Sequence, residues 1–600
     1  MNNNSTNKKR RSVTGKGVGA LVLVCLIVVL GVLIGKNINA VAPDIGPGKT
    51  PDGKPGSDIS VSVTPDVQGG ETDNGEQSGG ITLPEIILPT RQPLPEFTPY
   101  AVESTQPGKY IGATAIYKNG ETLASIADYV SDQTIDFGLG EDYSDFPGVL
   151  TFRGNNFRDG GSYGYAELRD EEFGTYWNAP TGALTSSDGY TWTGNGWTGQ
   201  PLIAQWPKEV RQHMNMYDWA KEKDTLTEVI YASMDGYVYF YELTSGSKTR
   251  DALNLGYTFK GAGALDPRGY PVLYVGSGYN SARGGSHAFI ISLLDCSILY
   301  EFGQYDNFAL RAWHMFDSSA LVDAETDTLI YPGESGILYL LRLNTNYDES
   351  AGTLSMEPEV VKWRYSAARS YGWLGFEASA AVWRGHLFLP DNGGNLICLD
   401  LNTLEVVWAQ DILDDSNATP MIELENGHPY LYVSTSFHYG WRGTNTAEIP
   451  IWKIDAETGE IVWKHSYSCY TVKDVSGGVQ GSPAMGKHDL EDLVFFPVSR
   501  YPTPAAGWLV ALNKETGEQV WNVETQVYSW SSPTAFYTKD GKGYLIYCTS
   551  GGYMYLLDGL TGEMLDFMNL GSNVEASPAI FENTVVVGTR NNGIWGVNMK

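Results

Sequence analysis

Six hundred residues exceed what one small core can hold and require several domains or a long repeat array. The 69 Gly, 37 Tyr and 17 Trp lean toward sheet and turn, because Gly punctuates bends and large rings suit half-buried pleated surfaces. A formal net charge of −30 argues against nucleic acid as a partner, and five scattered cysteines with no C-x-x-C give neither a disulfide framework nor a zinc site.

In chain order, residues 1–16 form a basic tail carrying Lys8, Lys9, Arg10, Arg11 and Lys16. The uncharged run GVGALVLVCLIVVLGVLIG at 17–35 follows, about 28 Å long as a helix and so long enough to span a bilayer. The basic flank predicts a cytoplasmic N-terminus and a single-pass anchor at the cell membrane, with the remainder on the extracytoplasmic side. Ala40-Val41-Ala42 offers a small-residue cleavage site, but Pro43 follows it directly and the apolar run is long for a signal peptide. Residues 36–108, rich in Pro, Gly, Ser, Thr and Asp, predict a disordered stalk. Residues 109–145 read as a small cap or extra strand, with some helical character around 117–132.

From 146 to 600 the text is strand-like, with short apolar runs between Gly and Asn/Asp bends. IDAETGEIVW at 454–463 returns as LNKETGEQVW at 512–521; the Thr-Gly step recurs at Thr561-Gly562, weakens to Thr403-Leu404 and appears early as Ser245-Gly246. An acidic or amide residue starts this hairpin, Gly takes a positive φ, and a strand bearing Trp408, Trp463 or Trp521 leaves it. A second landmark, Ser-Pro or a close variant, precedes each unit's first strand at Pro201, Ala264, Ala320, Ala380, Pro420, Pro483, Pro533 and Pro578. Eight units of four strands at a period of roughly 53 residues predict propeller blades. The last unit holds three strands, and an orphan strand at 172–180 stands ahead of the first landmark; together they would close the ring and leave no open edge. The expected fold is therefore all-β: an eight-bladed β-propeller closed by an N-terminal strand, preceded by a transmembrane helix and a disordered stalk.

The D-x-x-T-G-E-x-x-W turn, the Ser-Pro landmarks and FRGNNFRDGG at 152–161 resemble the quinoprotein-like, or PQQ-like, β-propeller repeats over about residues 146–600. The resemblance implies that Trp408, Trp463 and Trp521 pack between neighbouring blades. Some members are quinone-dependent dehydrogenases holding pyrroloquinoline quinone between a Trp and two adjacent disulfide-bonded cysteines beside a calcium ion. This chain has no adjacent cysteines and no recognisable calcium or haem motif, so a non-quinone member without cofactor or metal is expected. GGSYG at 160–164, GNGWTG at 194–199 and the calcium-loop-like 323–334 match motifs whose structural context is missing; the last reads better as a hairpin.

In a propeller, the loops leading into the first strands and those joining second to third strands share one face around the channel mouth. Here they are rich in rings and cations, which nominates Trp197, Arg283, Trp313, His314, Tyr371, Trp373, Tyr439, Trp441, Arg442 and Trp530 as ligand or partner contacts, with no catalytic residue assigned. The bland alternative is that these rings only pack loops together. The expected function is a non-enzymatic binding or scaffold module for an envelope protein or a cell-wall polysaccharide. The alternative is a carbohydrate-active enzyme using the mouth aromatics, for which Glu377 and Glu575 are the pair to inspect.

Overall fold

The computed structural model describes residues 94–600 apart from 198, 368–373, 440–442 and 474. The expected basic tail, the apolar span 17–35 and most of the stalk lie outside the described residues. Among the described residues no helix is long and apolar enough to cross a membrane.

Eight blades, each built on four antiparallel strands and several extended by one or two further strands, follow one another around an axis. Blades 1 to 7 span residues 202–254, 264–302, 321–367, 381–411, 421–470, 484–525 and 534–569. Blade 8 takes three strands from 579–599 and its fourth from Phe173–Ala179, paired antiparallel with Ile594–Met599. The chain's two ends of the ring thus share one sheet. Every first strand begins at or one residue after its Ser-Pro-type landmark. First strands such as Leu321–Asp323 are buried throughout, whereas fourth strands such as Met564–Asn569 alternate toward solvent, so each blade runs from a packed axis to an exposed rim.

Two contacts join the blades. On the rim, a tryptophan of one blade's fourth strand lies under the turn glycine of the next. A Cβ on Gly459 would meet the Trp408 ring at 2.7 Å, one on Gly517 would meet Trp463 at 2.6 Å, and one on Gly562 would meet Trp521 at 2.7 Å. Each glycine also has a φ of 72–74°, so sterics and backbone demand the same residue. The indoles of Trp408 and Trp463 donate to the carbonyls of Ala456 and Lys514 at 3.0 and 2.8 Å. Trp177, on the orphan strand, repeats this between blades 8 and 1: it underlies Gly246 and donates to Leu243 O at 2.7 Å. The sequence reading missed Trp177 because its strand is separated from the rest of its blade by most of the chain.

Near the axis, the Ser or Thr just before six of the eight landmarks, those of blades 3 to 8, forms a stitched arc of hydroxyls. Ser319 N–H donates to Ser379 Oγ (2.8 Å), Ser379 N–H to Thr419 Oγ1 (3.0 Å), Thr419 N–H to Ser482 Oγ (2.8 Å), Ser482 N–H to Ser532 Oγ (3.0 Å) and Ser532 N–H to Ser577 Oγ (3.2 Å). The Ser of Ser-Pro satisfies a buried backbone donor of its neighbour, and Pro starts a strand without needing a ladder donor itself.

The FRGNNFRDGG segment fills the axis as a hub. Gly148–Val149 pairs with blade 1, and the carbonyls of Leu150, Asn156, Phe157 and Gly161 accept from Leu265, Val382, Ile422 and Ile580 of blades 2, 4, 5 and 8. Thr151 Oγ1 reaches Ala320 O of blade 3 (2.8 Å), while Arg153 donates to Pro483 O and Pro533 O of blades 6 and 7 (both 2.9 Å). Arg158 donates to Ala380 O (2.7 Å) and Ser319 O (3.1 Å). The fourteen residues 148–161 therefore touch all eight blades. Burial pulls Arg153 down to about 10 and Arg158 to about 9, so both stay protonated near neutrality and keep all their donors.

Two local expectations need correction. Residues 94–108, assigned by composition to the disordered stalk, lie against blades 4 and 5: Leu94, Phe97 and Ala101 pack on their core, Tyr100 N–H donates to Glu457 O (2.9 Å), and Thr105 Oγ1 donates to Thr458 O (2.7 Å). A few apolar side chains spaced among prolines suffice when the surface they cover is preformed. The helical character read around 117–132 reduces to one 3-10 turn, Ile126–Asp128; Ile111–Lys118 is instead a strand on the outer edge of blade 3, paired with Glu359–Ala367. Two short helices, Lys208–His213 and Asp218–Glu222, are inserted between the first and second strands of blade 1.

Candidate functional site

The repeat register builds the mouth. Three residues before the landmarks of blades 2 to 8 stand Gly261, Asp317, Glu377, Asn417, Gln480, Trp530 and Glu575, one equivalent loop position per blade. Asp317, Glu377, Asn417 and Gln480 line a narrow recess over the hub with Phe152, Ser379, Thr419 and Ser482; its volume of about 10 Å³ holds one water-sized group.

Around the recess the charges interlock. Lys260 Nζ lies 3.0 Å from Asp317 Oδ2, both side chains over nine-tenths buried, and the same ammonium sits 5.1 and 5.9 Å from the Trp197 and Trp192 ring centres. Burial opposes the Lys260 charge, but Asp317, Glu334 and Glu377 outweigh it and hold the ammonium protonated. Glu334, 1% exposed, is pushed well above the ordinary carboxyl range by burial and by Glu377 and Asp317. Arg311 donates to Asn392 Oδ1 (2.9 Å), and Asn392 donates to Asp415 Oδ1 (2.7 Å). Burial and Glu377 raise Asp415 to about 7. His438 lies 3.3 Å from Asp415 and 3.5 Å from Asp414; burial disfavours its charge, yet these carboxylates raise it to about 9. Asn417 donates to Glu377 Oε2.

An aromatic belt borders this floor. Trp197 meets Trp530 at 5.9 Å and Trp192 at 6.4 Å, Trp192 meets Tyr190 and Tyr279, and Tyr528 meets Trp530 at 5.3 Å. Trp197 holds a φ of 60°, a left-handed backbone that is strained for a bulky residue.

The nominated residues divide accordingly. Trp197 and Trp530 meet in the belt. Trp313 is 46% exposed with the Arg311 guanidinium 4.4 Å from its ring, and Tyr439 is also exposed. His314 is half-buried against Tyr305, and burial lowers its pKa. Arg283 lies apart, donating to Leu255 O (2.7 Å) at the rim between blades 1 and 2, where it lines a separate recess of about 570 Å³. Tyr371, Trp373, Trp441 and Arg442 lie outside the described residues. Glu377 and Glu575 stand on blades 4 and 8, opposite each other across an eight-fold ring; Glu575 is engaged by Asn573 (2.9 Å) and Arg590 (3.4 Å). Lys260, Asp317, Glu334, Asp415 and Asn417 were missed, although counting three or four residues back from each landmark would have found Lys260, Asp317 and Asn417.

The residues present do not fit pyrroloquinoline quinone. The described cysteines, Cys296, Cys398, Cys469 and Cys548, stand on four different blades, and the recess over the axis is too narrow for a fused tricyclic ring. Among the described residues no three His, Cys, Asp or Glu are placed to hold a metal ion.

The eight blades, the Thr-Gly/Trp seams and the Ser-Pro arc define a propeller of the PQQ-like repeat class. A family model described as outer membrane protein assembly factor BamB matches residues 352–526 and 505–600. The outer membrane protein assembly factor BamB of Kangiella koreensis is 23% identical over 201 residues, 33% of this chain; the match spans 44% of that protein's length. Among solved structures, BamB from Moraxella catarrhalis is similar at 15% identity and a TM-score of 0.41, over 71% of this chain and 98% of its own. Quinohemoprotein alcohol dehydrogenase from Comamonas testosteroni is similar at 11% identity and a TM-score of 0.49, over 77% and 82%.

Proposed function

We propose that this chain is a non-enzymatic binding scaffold whose recognition face is the channel mouth, and that its partner is an envelope protein or a cell-wall polysaccharide. One observation carries the reading: rings from the loops leading into blades 1 and 7 converge in a single half-exposed belt over a polar floor, with Trp197 held there in a strained backbone. Such strain persists where surrounding structure enforces it, and clustered Trp, Tyr and Arg are typical binding anchors. The apolar run at 17–35 behind a basic tail supports a single-pass anchor in the cell membrane, with residues 36–93 as its tether and the propeller on the extracytoplasmic side. The matched relatives' description as an assembly factor favours scaffolding over catalysis, by analogy of class alone.

The test is binding of the full chain, in detergent or nanodiscs, to a panel of wall glycans and, by crosslinking in the envelope, to proteins. Trp197→Ala and Trp530→Ala should each weaken binding about 10-fold or more while leaving the melting curve nearly unchanged. Binding indifferent to both substitutions would remove the mouth as the recognition face. The enzymatic alternative would require Glu377 and Glu575 to act on a bound glycan; with Glu575 already held by Arg590, no bond cleavage is expected in bound oligosaccharide.

A further inference from the structure

We infer that the mouth takes an uncharged saccharide, a ring lying against the Trp197–Trp530 belt with a hydroxyl or hydroxymethyl group reaching into the recess over the hub. This rests on the mouth being the recognition face and names its ligand class.

The floor has many carboxyl groups, most of them already engaged. Lys260 pairs with Asp317, His438 lies against Asp414 and Asp415, Asn417 donates to Glu377, and burial disfavours charge on Glu334. A free cation therefore meets carboxylates that already have partners, and an anion meets the carboxylates of the rim as well as the chain's overall charge of −30.

What the floor does offer is unspent hydrogen-bonding capacity of both signs. Asn417 Oδ1, on the recess wall, is a buried acceptor with no hydrogen-bond partner, and Trp530 Nε1 in the belt and Gln200 Nε2 against the hub are buried donors with none. Buried polar atoms are nearly always satisfied by protein, water or a ligand, and a group entering the recess from the mouth can meet this need. The group that both donates and accepts, and that fits about 10 Å³, is a hydroxyl. A protein loop cannot enter so narrow a recess. A pyranose can leave its ring outside on the indole faces, which suit its C–H surface, and send one arm in.

The experiment is calorimetric titration of the full chain with neutral oligosaccharides (cello-, xylo-, manno- and chito-oligosaccharides), with chitosan oligomers and polygalacturonate as charged controls. Asn417→Ala and Gln480→Ala are the recess variants, and Trp530→Ala is the belt variant. A neutral oligosaccharide should bind with little change between 50 mM and 500 mM NaCl, about 10-fold more weakly in either recess variant and more weakly still in Trp530→Ala. Two results would overturn the ligand class while leaving the mouth as the binding face. One is salt-sensitive binding of a charged polymer alone. The other is no saccharide binding alongside a protein crosslink that Trp197→Ala or Trp530→Ala abolishes. Neutral sugar binding that ignores the recess variants but is lost in Trp530→Ala would overturn the recess as the hydroxyl's seat. Indifference of every ligand to all the variants would sink both readings. Melting temperatures within a few degrees of wild type keep each comparison interpretable.

Discussion

The pairing of Trp463 with Gly517 shows how one contact fixes two residue choices. Gly517 needs a φ of 72° and no Cβ, because that atom would meet the indole at 2.6 Å. Trp463→Ala should cost about 2–4 kcal/mol as a half-buried large-to-small change. Gly517→Ala should cost about 2–3 kcal/mol, combining backbone strain with the clash. In the double variant the clash disappears, so the second substitution should cost only about 1 kcal/mol of strain. Urea unfolding of the four proteins measures this cycle, and strict additivity would disprove the contact as its cause.

His438 gives a pH dependence at the same scale. Its pKa is raised from an ordinary 6.5 to about 9 by Asp414 and Asp415, with Glu377 adding to the effect, so the folded protein holds this proton more tightly than the unfolded chain. A raised base stabilises fully below 6.5 and loses that contribution as pH climbs through 9. Asp415, raised to about 7, acts in the same sense between about pH 4 and 7. Thermal stability should therefore fall from pH 6.5 to 9, by on the order of 1–2 kcal/mol after screening of the partly exposed imidazole. His438→Gln should flatten that limb of the profile.

Among elements, the seam between blades 1 and 2 departs from the repeat. At the place where the Thr-Gly turn would sit, blade 2 has Cys296, at φ 62°, and no tryptophan of blade 1 lies beneath it. Arg250 takes the indole's role: it donates to Leu293 O (2.7 Å), the position equivalent to Ala456 and Lys514, and pairs with Glu228 at 2.7 Å in near-complete burial. Arg250→Ala should cost about 3–5 kcal/mol because it leaves a buried carboxylate unpaired, whereas Arg250→Met with Glu228→Gln should be far milder. Denaturant titration separates the two. Equal losses would mean that packing, and not the charge pair, holds this seam.

For the whole molecule, the segment 146–180 supplies both the axial hub and the strand that closes blade 8. A chain starting at residue 181 would open the ring and leave Ile594–Met599 as an uncovered edge, and exposed edges aggregate. We expect such a chain to be insoluble or oligomeric by light scattering, and a peptide of residues 146–180 added during refolding to restore a monomer. A monomeric, cooperatively melting 181–600 chain would show that the hub is dispensable.

The blade count, strand order and closing strand were legible in the sequence because they depend on short-range chemistry: a turn that needs Gly, a strand that begins at Pro, an alternation with period two. The sequence also put Trp197 and Trp530 in loops leading into first strands, and the fold brings these two rings together. What only the tertiary structure decided was which side chains meet. Lys260, Asp317, Glu334 and Asp415 stand in four separate stretches of sequence and share one buried site because ring closure carries equivalent loop positions to the axis. The same holds for FRGNNFRDGG, whose two arginines find their partners only when blades 3, 4, 6 and 7 bring backbone carbonyls to the axis. Local propensity is written residue by residue along the chain. Burial, protonation and partnership are properties of neighbours, and in a closed ring the neighbours are set by the fold.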